Sequence, residues 1–433
     1  MKSIITSLAV VLLTTGANAA TEITFWDFLG GGDGIRMKQI VAEFNQSQSD
    51  IHVNQSTLTW GEPFYTKVHT GVISGETPDV MTYHLSRFAT GIKSKDLRPF
   101  TTDELAAAGL KLSDFQESLV QRSQELSKTF GQTDQVFGVP LDIHTTVLYY
   151  NKTILQKAGL LGSDGKPTGT DSVANFTKML GEVKNKTHQI PISTPTVSDD
   201  PASCWRLFFT LFRQQGGDFL KDGKLSFDDM PKQGVRSIET MAGWTKDGYI
   251  PKNTTYPACV ALFTAGRAAF MINGNWEVPT LVDMKKKGSL PFDYGIQAFP
   301  KLADNSDTWA DSHELCIPNN QKTPASPEKV AAALKFIAYV VKQATWAGGG
   351  HIPAYLPLQQ SAEYKQMEPN NQYSADAAKQ VTFEPPLPVF GVASPSFDLI
   401  SNFLVPAYIG QLSADQAVKE FSAGLQKAAE TLQ

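Results

Sequence analysis

Aromatic rings recur beside hydrogen-bonding side chains in short clusters along this chain: Trp26 and Asp27, Trp60, Tyr83 and His84, Asp142 and His144, Asp200 ahead of Trp205 and Arg206, Asn275 and Trp276, and His351 near Tyr355. A ligand with apolar C–H faces ringed by hydroxyls, a sugar above all, needs flat aromatic platforms with carboxylate, amide, imidazole or guanidinium groups around them. A single tryptophan is an ordinary core residue, so it is the repetition of polar neighbours that points to a binding surface. Bond-breaking chemistry has less support. His313-Glu314 is not followed by the second histidine of a helical zinc site, and no G-x-S-x-G elbow exists. Asp199 and Asp200 are adjacent, usually point apart, and say nothing of the carboxylate separation that glycoside cleavage requires. No catalytic residue, metal ligand or cofactor is therefore assigned. The run Gly30, Gly31, Gly32, Asp33, Gly34 could turn backbone N–H groups toward an anion or a hydroxyl, but Ile35 stands where a dinucleotide fingerprint needs its last glycine. A flexible turn beside a polar ligand is the preferred reading.

Rigid elements must hold these clusters. Ile23 and Phe25 alternate inward, the glycines break the strand, and Met37, Ile40, Val41 and Phe44 repeat at helical spacing. Ile51 and Val53 alternate again, and Val80 and Met81 follow Pro78, so the first hundred residues read as strand, helix, strand, helix, strand. Parallel strands need such crossovers, and ligands of open sheets sit beyond the carboxyl ends of strands. That rule singles out Trp26 and Asp27, Trp60, and residues 83–87. Further on, Ser326 and Pro327 open a helix with an apolar stripe of Val330, Leu334, Ile337 and Val341; Ser413 and Gln416 open another with Val418, Phe421, Leu425 and Leu432. Both stripes are core faces.

Composition bounds the class. With 41% hydrophobic and 19% charged residues in 433, the chain can bury a sizeable core and has room for two domains. A net charge of −5 without long charge runs argues against nucleic acid as a partner. Lys2, an apolar stretch over residues 4–13, and Ala17-Asn18-Ala19 predict a cleaved export signal over residues 1–19 and a periplasmic destination. No cysteine follows that site, so no lipid anchor is expected. Cys204, Cys259 and Cys316 are too few for a disulfide framework; one Cys204–Cys259 bridge and three buried thiols both stay open. Exposed repeats or tails, which a structural or adhesion protein would want, are absent.

Four segments resemble the extracellular solute-binding proteins of carbohydrate ABC importers, the group that contains the maltose and glycerol-3-phosphate binders. They are Gly75-Glu76-Thr77-Pro78-Asp79-Val80; Gly138-Val139-Pro140 through Tyr149-Tyr150-Asn151-Lys152 to Ala158-Gly159-Leu160; Phe263-Thr264-Ala265-Gly266-Arg267-Ala268-Ala269-Phe270 with Gly274-Asn275-Trp276; and the Ser326-Pro327 helix leading to Gly350-His351-Ile352-Pro353. The resemblance implies a type II periplasmic binding protein fold, an α/β architecture of two lobes joined by crossing hinge segments around a ligand cleft. The N-terminal lobe would comprise residues 20–141 and 296–345, the C-terminal lobe 142–295 and 346–433. Trp276 is similar to the family's stacking tryptophan. Tyr83, with Ser86 and Arg87, matches a cleft loop, His144 a sugar-contacting position on the crossing strand, and Asp200 with Trp205 a C-lobe loop. Trp205 or Tyr83 would offer a second platform, Asp27, Asp200, His144 and His351 would hold hydroxyls, and Trp26, Trp60, Asp142, Arg206, Asn275 and His313 complete the candidate set. Two departures bear on the ligand. His144 stands where the maltose binder has a carboxylate, and residues 389–403 contain no Arg for a phosphate. A neutral sugar or small oligosaccharide is favoured, with Arg87 and Arg206 leaving an acidic sugar or phosphorylated polyol open. The implied partner is an ABC permease and the implied state a monomer; a glycoside-processing enzyme is the alternative from another class.

Overall fold

A computed structural model describes residues 20–432, so the expected export signal lies outside the described residues. The first strand, β1 (Thr21–Asp27), is followed by α1 (Gly31–Ser47), β2 (Ile51–Thr57), α2 (Glu62–Ser74) and β3 (Val80–His84). β1 lies between β2 and β3 and runs parallel to both, pairing Ile23 with Val53 and Phe25 with Val80. The inward residues Ile23 and Phe25 are fully buried, and Phe336 of helix Pro327–Val340 packs edge-on against Phe25 at 5.4 Å. That helix starts where its sequence says: Ser326 accepts from the Lys329 N–H and Pro327 fills the first turn. Strand His313–Cys316 joins this sheet antiparallel to β3 and is flanked by β4 (Val139–Pro140).

The second sheet is organised on β5 (Asp142–Asn151), all ten residues of which are buried. Strands Ala268–Gly274, Tyr294–Ala298 and Thr308–Asp311 pair with β5 antiparallel, and Ile190–Ser193 lies outside Ala268–Gly274. A strand buried on both faces reads as a continuous apolar run, as residues 147–150 do, whereas the first half of β5 buries the polar Asp142, His144, Thr145 and Thr146. Helix Pro201–Gln214 covers one face of this sheet, capped by Asp200 and Pro201. The two lobes are thus two mixed α/β layers, and the chain passes between them at residues 141–142, 311–313 and 351–354. These crossings lie side by side: the Leu141 N–H donates to the His313 carbonyl at 2.8 Å and the Ala354 N–H to the Leu141 carbonyl at 3.2 Å.

Two expectations need correction. The chain does not return to the N-terminal lobe at 296, because Tyr294–Ala298 and Thr308–Asp311 still pair with β5; the return is at His313. The third crossing likewise falls several residues beyond 346. Nor do the glycines form a loop: α1 begins at Gly31, with the Gly34 N–H on the Gly30 carbonyl. Glycine is needed there for close approach, since a Cβ on Gly34 would stand 2.4 Å from the Leu29 carbonyl oxygen and one on Gly32 2.2 Å from Pro279.

Candidate functional site

A cleft of about 690 Å³ opens between the lobes, within the range of small-molecule sites. Its N-terminal wall is Phe28, the start of α1, Leu58, Trp60 and His84; its C-terminal wall is Asp200, Ala202, Arg206, Tyr256, Trp276 and Glu277; His144 and His313 sit between them. Trp60 is 40% exposed, an unusual state for so large an apolar ring in a folded chain.

The cleft floor is a histidine cluster built on one carboxylate. Asp142 is fully buried at the first crossing; the His144 Nδ1 lies 3.1 Å from its Oδ1, the His313 Nδ1 2.9 Å from its Oδ2, and the Trp346 indole N–H donates to Oδ2 at 2.8 Å. Burial alone would push the Asp142 carboxyl up, but the His313 and His351 charges and the histidine hydrogen bonds outweigh it and hold it well below the usual carboxylate range. His351, also fully buried, places Nε2 3.0 Å from Asp33 and Nδ1 3.4 Å from Asp142. Burial opposes its charge, yet the two carboxylates prevail and raise its pKa; its Nε2 bonds to Asp33, while its Nδ1 faces Asp142 without a hydrogen bond. His144 goes the other way: burial, then the charge of His313, brings it down to about 3, and the neutral ring donates Nδ1–H to Asp142. Its Nε2 is left as an acceptor for a ligand hydroxyl. His84 is stacked on Phe28 at 4.6 Å, bonded through Nδ1 to the Tyr65 hydroxyl at 2.5 Å, and kept neutral by burial. Asp142, His144, His313 and His351 also form a set of donors close enough together for a metal ion; here His144 and His313 are hydrogen-bonded to Asp142, and the His351 Nδ1 has no hydrogen-bond partner.

The C-terminal wall carries the charge. Arg206 sits 4.6 Å from the ring centres of both Trp276 and Trp309, two indoles meeting at 90°. Trp276 is fixed in turn by its indole N–H on the Tyr256 hydroxyl at 2.8 Å, and that hydroxyl donates to Glu277 at 2.6 Å.

A model of the bacterial extracellular solute-binding proteins matches residues 39–377, most of the chain. The chain belongs to that family. The sn-glycerol-3-phosphate-binding periplasmic protein of Pectobacterium atrosepticum is 22% identical over 88% of this chain and 84% of its own length. Among solved structures, the GacH receptor of Streptomyces glaucescens superimposes with a TM-score of 0.78 at 18% identity, over 96% of this chain and 100% of its own. Maltose-bound MalE3 of T. maritima gives 0.77 at 20%, over 94% and 100%. The fold is therefore the two-lobe solute-binding architecture, and members of this family are binding proteins.

In this solute-binding protein the expected site residues divide. Trp60, His144, Asp200, Arg206, Trp276 and His313 come together on the cleft. Asp142 and His351 lie directly beneath it as its support. Others are elsewhere, each for a local reason. Trp205 points into the C-terminal core, packed on Phe208, Phe209, Phe219, Phe390 and Phe421, because one residue is about a 100° turn on a helix and Arg206 takes the cleft side. Tyr83 is buried against Tyr65 at 5.0 Å, because strand alternation gives the cleft face of β3 to His84. Trp26 lies in a separate surface groove under the Lys67 ammonium, 4.8 Å from its ring centre. Asp27 is spent on structure, accepting from the Leu29 N–H, Gln55 and Thr57. Asn275 ties the Thr145 N–H to the Gly350 carbonyl. Arg87 donates to the Ala393 carbonyl at 2.9 Å, away from the cleft. The expectation missed Tyr256, Phe28 and Trp309, and weighed His84 only as a neighbour of Tyr83. The three thiols are free and buried, so no Cys204–Cys259 bridge is present.

Proposed function

We propose that this chain is the substrate-binding component of an ABC importer that takes a sugar or small oligosaccharide in the inter-lobe cleft, closes on it by hinge rotation and delivers it to a membrane permease. The observation that carries this reading is the cleft itself: an exposed indole, Trp60, faces a second, Trp276, across imidazoles that offer acceptors to hydroxyls. Relatives support it, since they include the glycerol-3-phosphate binder above and an arabinooligosaccharide-binding protein of Bacillus subtilis, 25% identical over 49% of this chain and 45% of its own. The reading includes export to the periplasm and a monomeric binder without turnover; no helix among the described residues is long and apolar enough to cross a membrane.

Thermal-shift measurement against neutral, acidic and phosphorylated sugars tests it, because a ligand selective for the native state raises the melting temperature. A saturating ligand should stabilise the protein, reduce its radius of gyration in solution scattering, and be recovered chemically unchanged by mass spectrometry. A new product would favour the glycoside-processing alternative. A radius of gyration that stays constant at saturation would count against closure.

A further inference from the structure

Among the described residues Arg206 has no acceptor. Of the other arginines, Arg98 and Arg213 reach carboxylates, Arg36, Arg87 and Arg122 reach backbone carbonyls, and Arg236 and Arg267 lie on the exposed surface. Among the described residues no hydrogen bond or ion pair satisfies the Arg206 guanidinium, although it lies half-buried on the cleft wall. Its contacts with Trp276 and Trp309 use its π surface and leave its five N–H donors unspent. The acidic groups around it are committed elsewhere. Asp200 caps its own helix through the Ser203 N–H and hydroxyl, Asp311 holds Ser86 and the Ser312 N–H, and Glu384 holds the Trp309 indole and the Gly391 N–H. Asp311 and Glu384 are also raised by burial, Asp311 up to about 7, which weakens them as counter-charges. The guanidinium therefore keeps its donors toward the cleft, and a ligand seated there shields them from water, which is costly unless it brings an acceptor; an oxyanion is the strongest one.

We infer that the ligand of this cleft is a sugar or polyol bearing an oxyanion, whose charged group bonds to Arg206 in the corner of Trp276 and Trp309 while its hydroxyls meet His144 and His84. This rests on the cleft being the ligand site, as proposed above, and reverses the preference for a neutral sugar. A carboxylate and a phosphate ester share the chemistry that a guanidinium recognises, and matched probes distinguish them.

Calorimetric titration of the full chain with glucose, glucuronate, glucose 6-phosphate and glycerol 3-phosphate, with xylobiose as a neutral oligosaccharide, is the test. At least one anion should bind ten- to a hundredfold or more tighter than any neutral probe, an advantage of about 1.4–2.7 kcal/mol. In Arg206→Gln that ratio should collapse toward one, and Arg206→Lys, which keeps the charge but not the fork, should restore part of it. Unliganded melting temperatures verify that both variants are folded, and loss of the parent's anion preference as salt rises is a readout that needs neither. Neutral probes binding as tightly as anions, or an anion preference intact in Arg206→Gln, would overturn the inference and leave the cleft reading standing. Binding by no probe of either kind would overturn both.

Discussion

His144 and Asp311 are direct partners across two paired strands, both pushed toward their neutral forms by burial, and each leaves a trace in the pH dependence of stability. A histidine held down to about 3 stays neutral in the folded chain while the unfolded chain takes up a proton near the ordinary value of 6.5. The stability contributed by His144 is therefore complete above pH 6.5 and is lost as pH falls from there toward 3, by about 1.4 kcal/mol per pH unit within the window. Asp311, raised to about 7 by burial, runs the other way: the folded chain keeps the proton between the usual 3.8 and 7, so that contribution shrinks as pH rises through the interval. Opposed terms hide one another in the parent, and a comparison with a variant separates them. His144→Asn keeps an N–H donor toward Asp142 but has no proton to gain. Urea melts of parent and variant at pH 7.5, 6 and 4.5 should show the parent losing ground to the variant only below about 6.5; parallel curves would mean that His144 does not remain neutral in the fold.

The strand Ala268–Gly274 ends at the cleft, and its last residue works through what it lacks. A Cβ on Gly274 would stand 1.9 Å from the Trp276 ring, and that ring supports Arg206. Gly274 has an ordinary extended backbone, so the requirement is one of space alone. Gly274→Ala should push the indole off its seat, shift the tryptophan emission and weaken ligand binding about tenfold, with a cost to stability in the 1–3 kcal/mol range of overpacking. Unchanged emission and affinity would show that the ring has room to give. Elements of this kind also set what could be read beforehand. The β1 to β3 succession and the helix behind Ser326-Pro327 were legible because one periodicity with its caps determines an element. Facing was not. Tyr83 and His84, or Trp205 and Arg206, differ by one step on a strand or helix, and either member of each pair could have faced the ligand; the choice was made by neighbours such as Phe219 and Phe390, brought in from far along the chain. The glycine run misled for a related reason, since glycines that permit contact between α1 and Pro279 look the same in sequence as glycines that make a loop.

On the scale of the whole molecule, Asp142 is where the three passages between the lobes are tied together. The residue itself belongs to the first passage, His313 to the second and His351 to the third, and all three groups meet within 3.4 Å of one carboxylate. A hinge has to bend without letting its strands slide past each other, and a buried charge with an imidazole from each of the other two passages against it keeps them in register while the lobes beyond rotate. The His351 Nε2 extends the knot to Asp33 in the first turn of α1, at the edge of the cleft, so the ligand wall and the pivot share one network. Asp142→Asn preserves size but removes the charge on which His144, His313 and the Trp346 indole converge, and breaking one partner of a buried ionic network costs about 3–5 kcal/mol. Urea melts should fall by that amount at pH 7, and the ligand-induced drop in radius of gyration should shrink, because lobes on a loosened pivot no longer have one open and one closed arrangement. A variant as stable as the parent that closes to the same radius would mean that the passages are held by backbone pairing alone, with Asp142 only filling space between them.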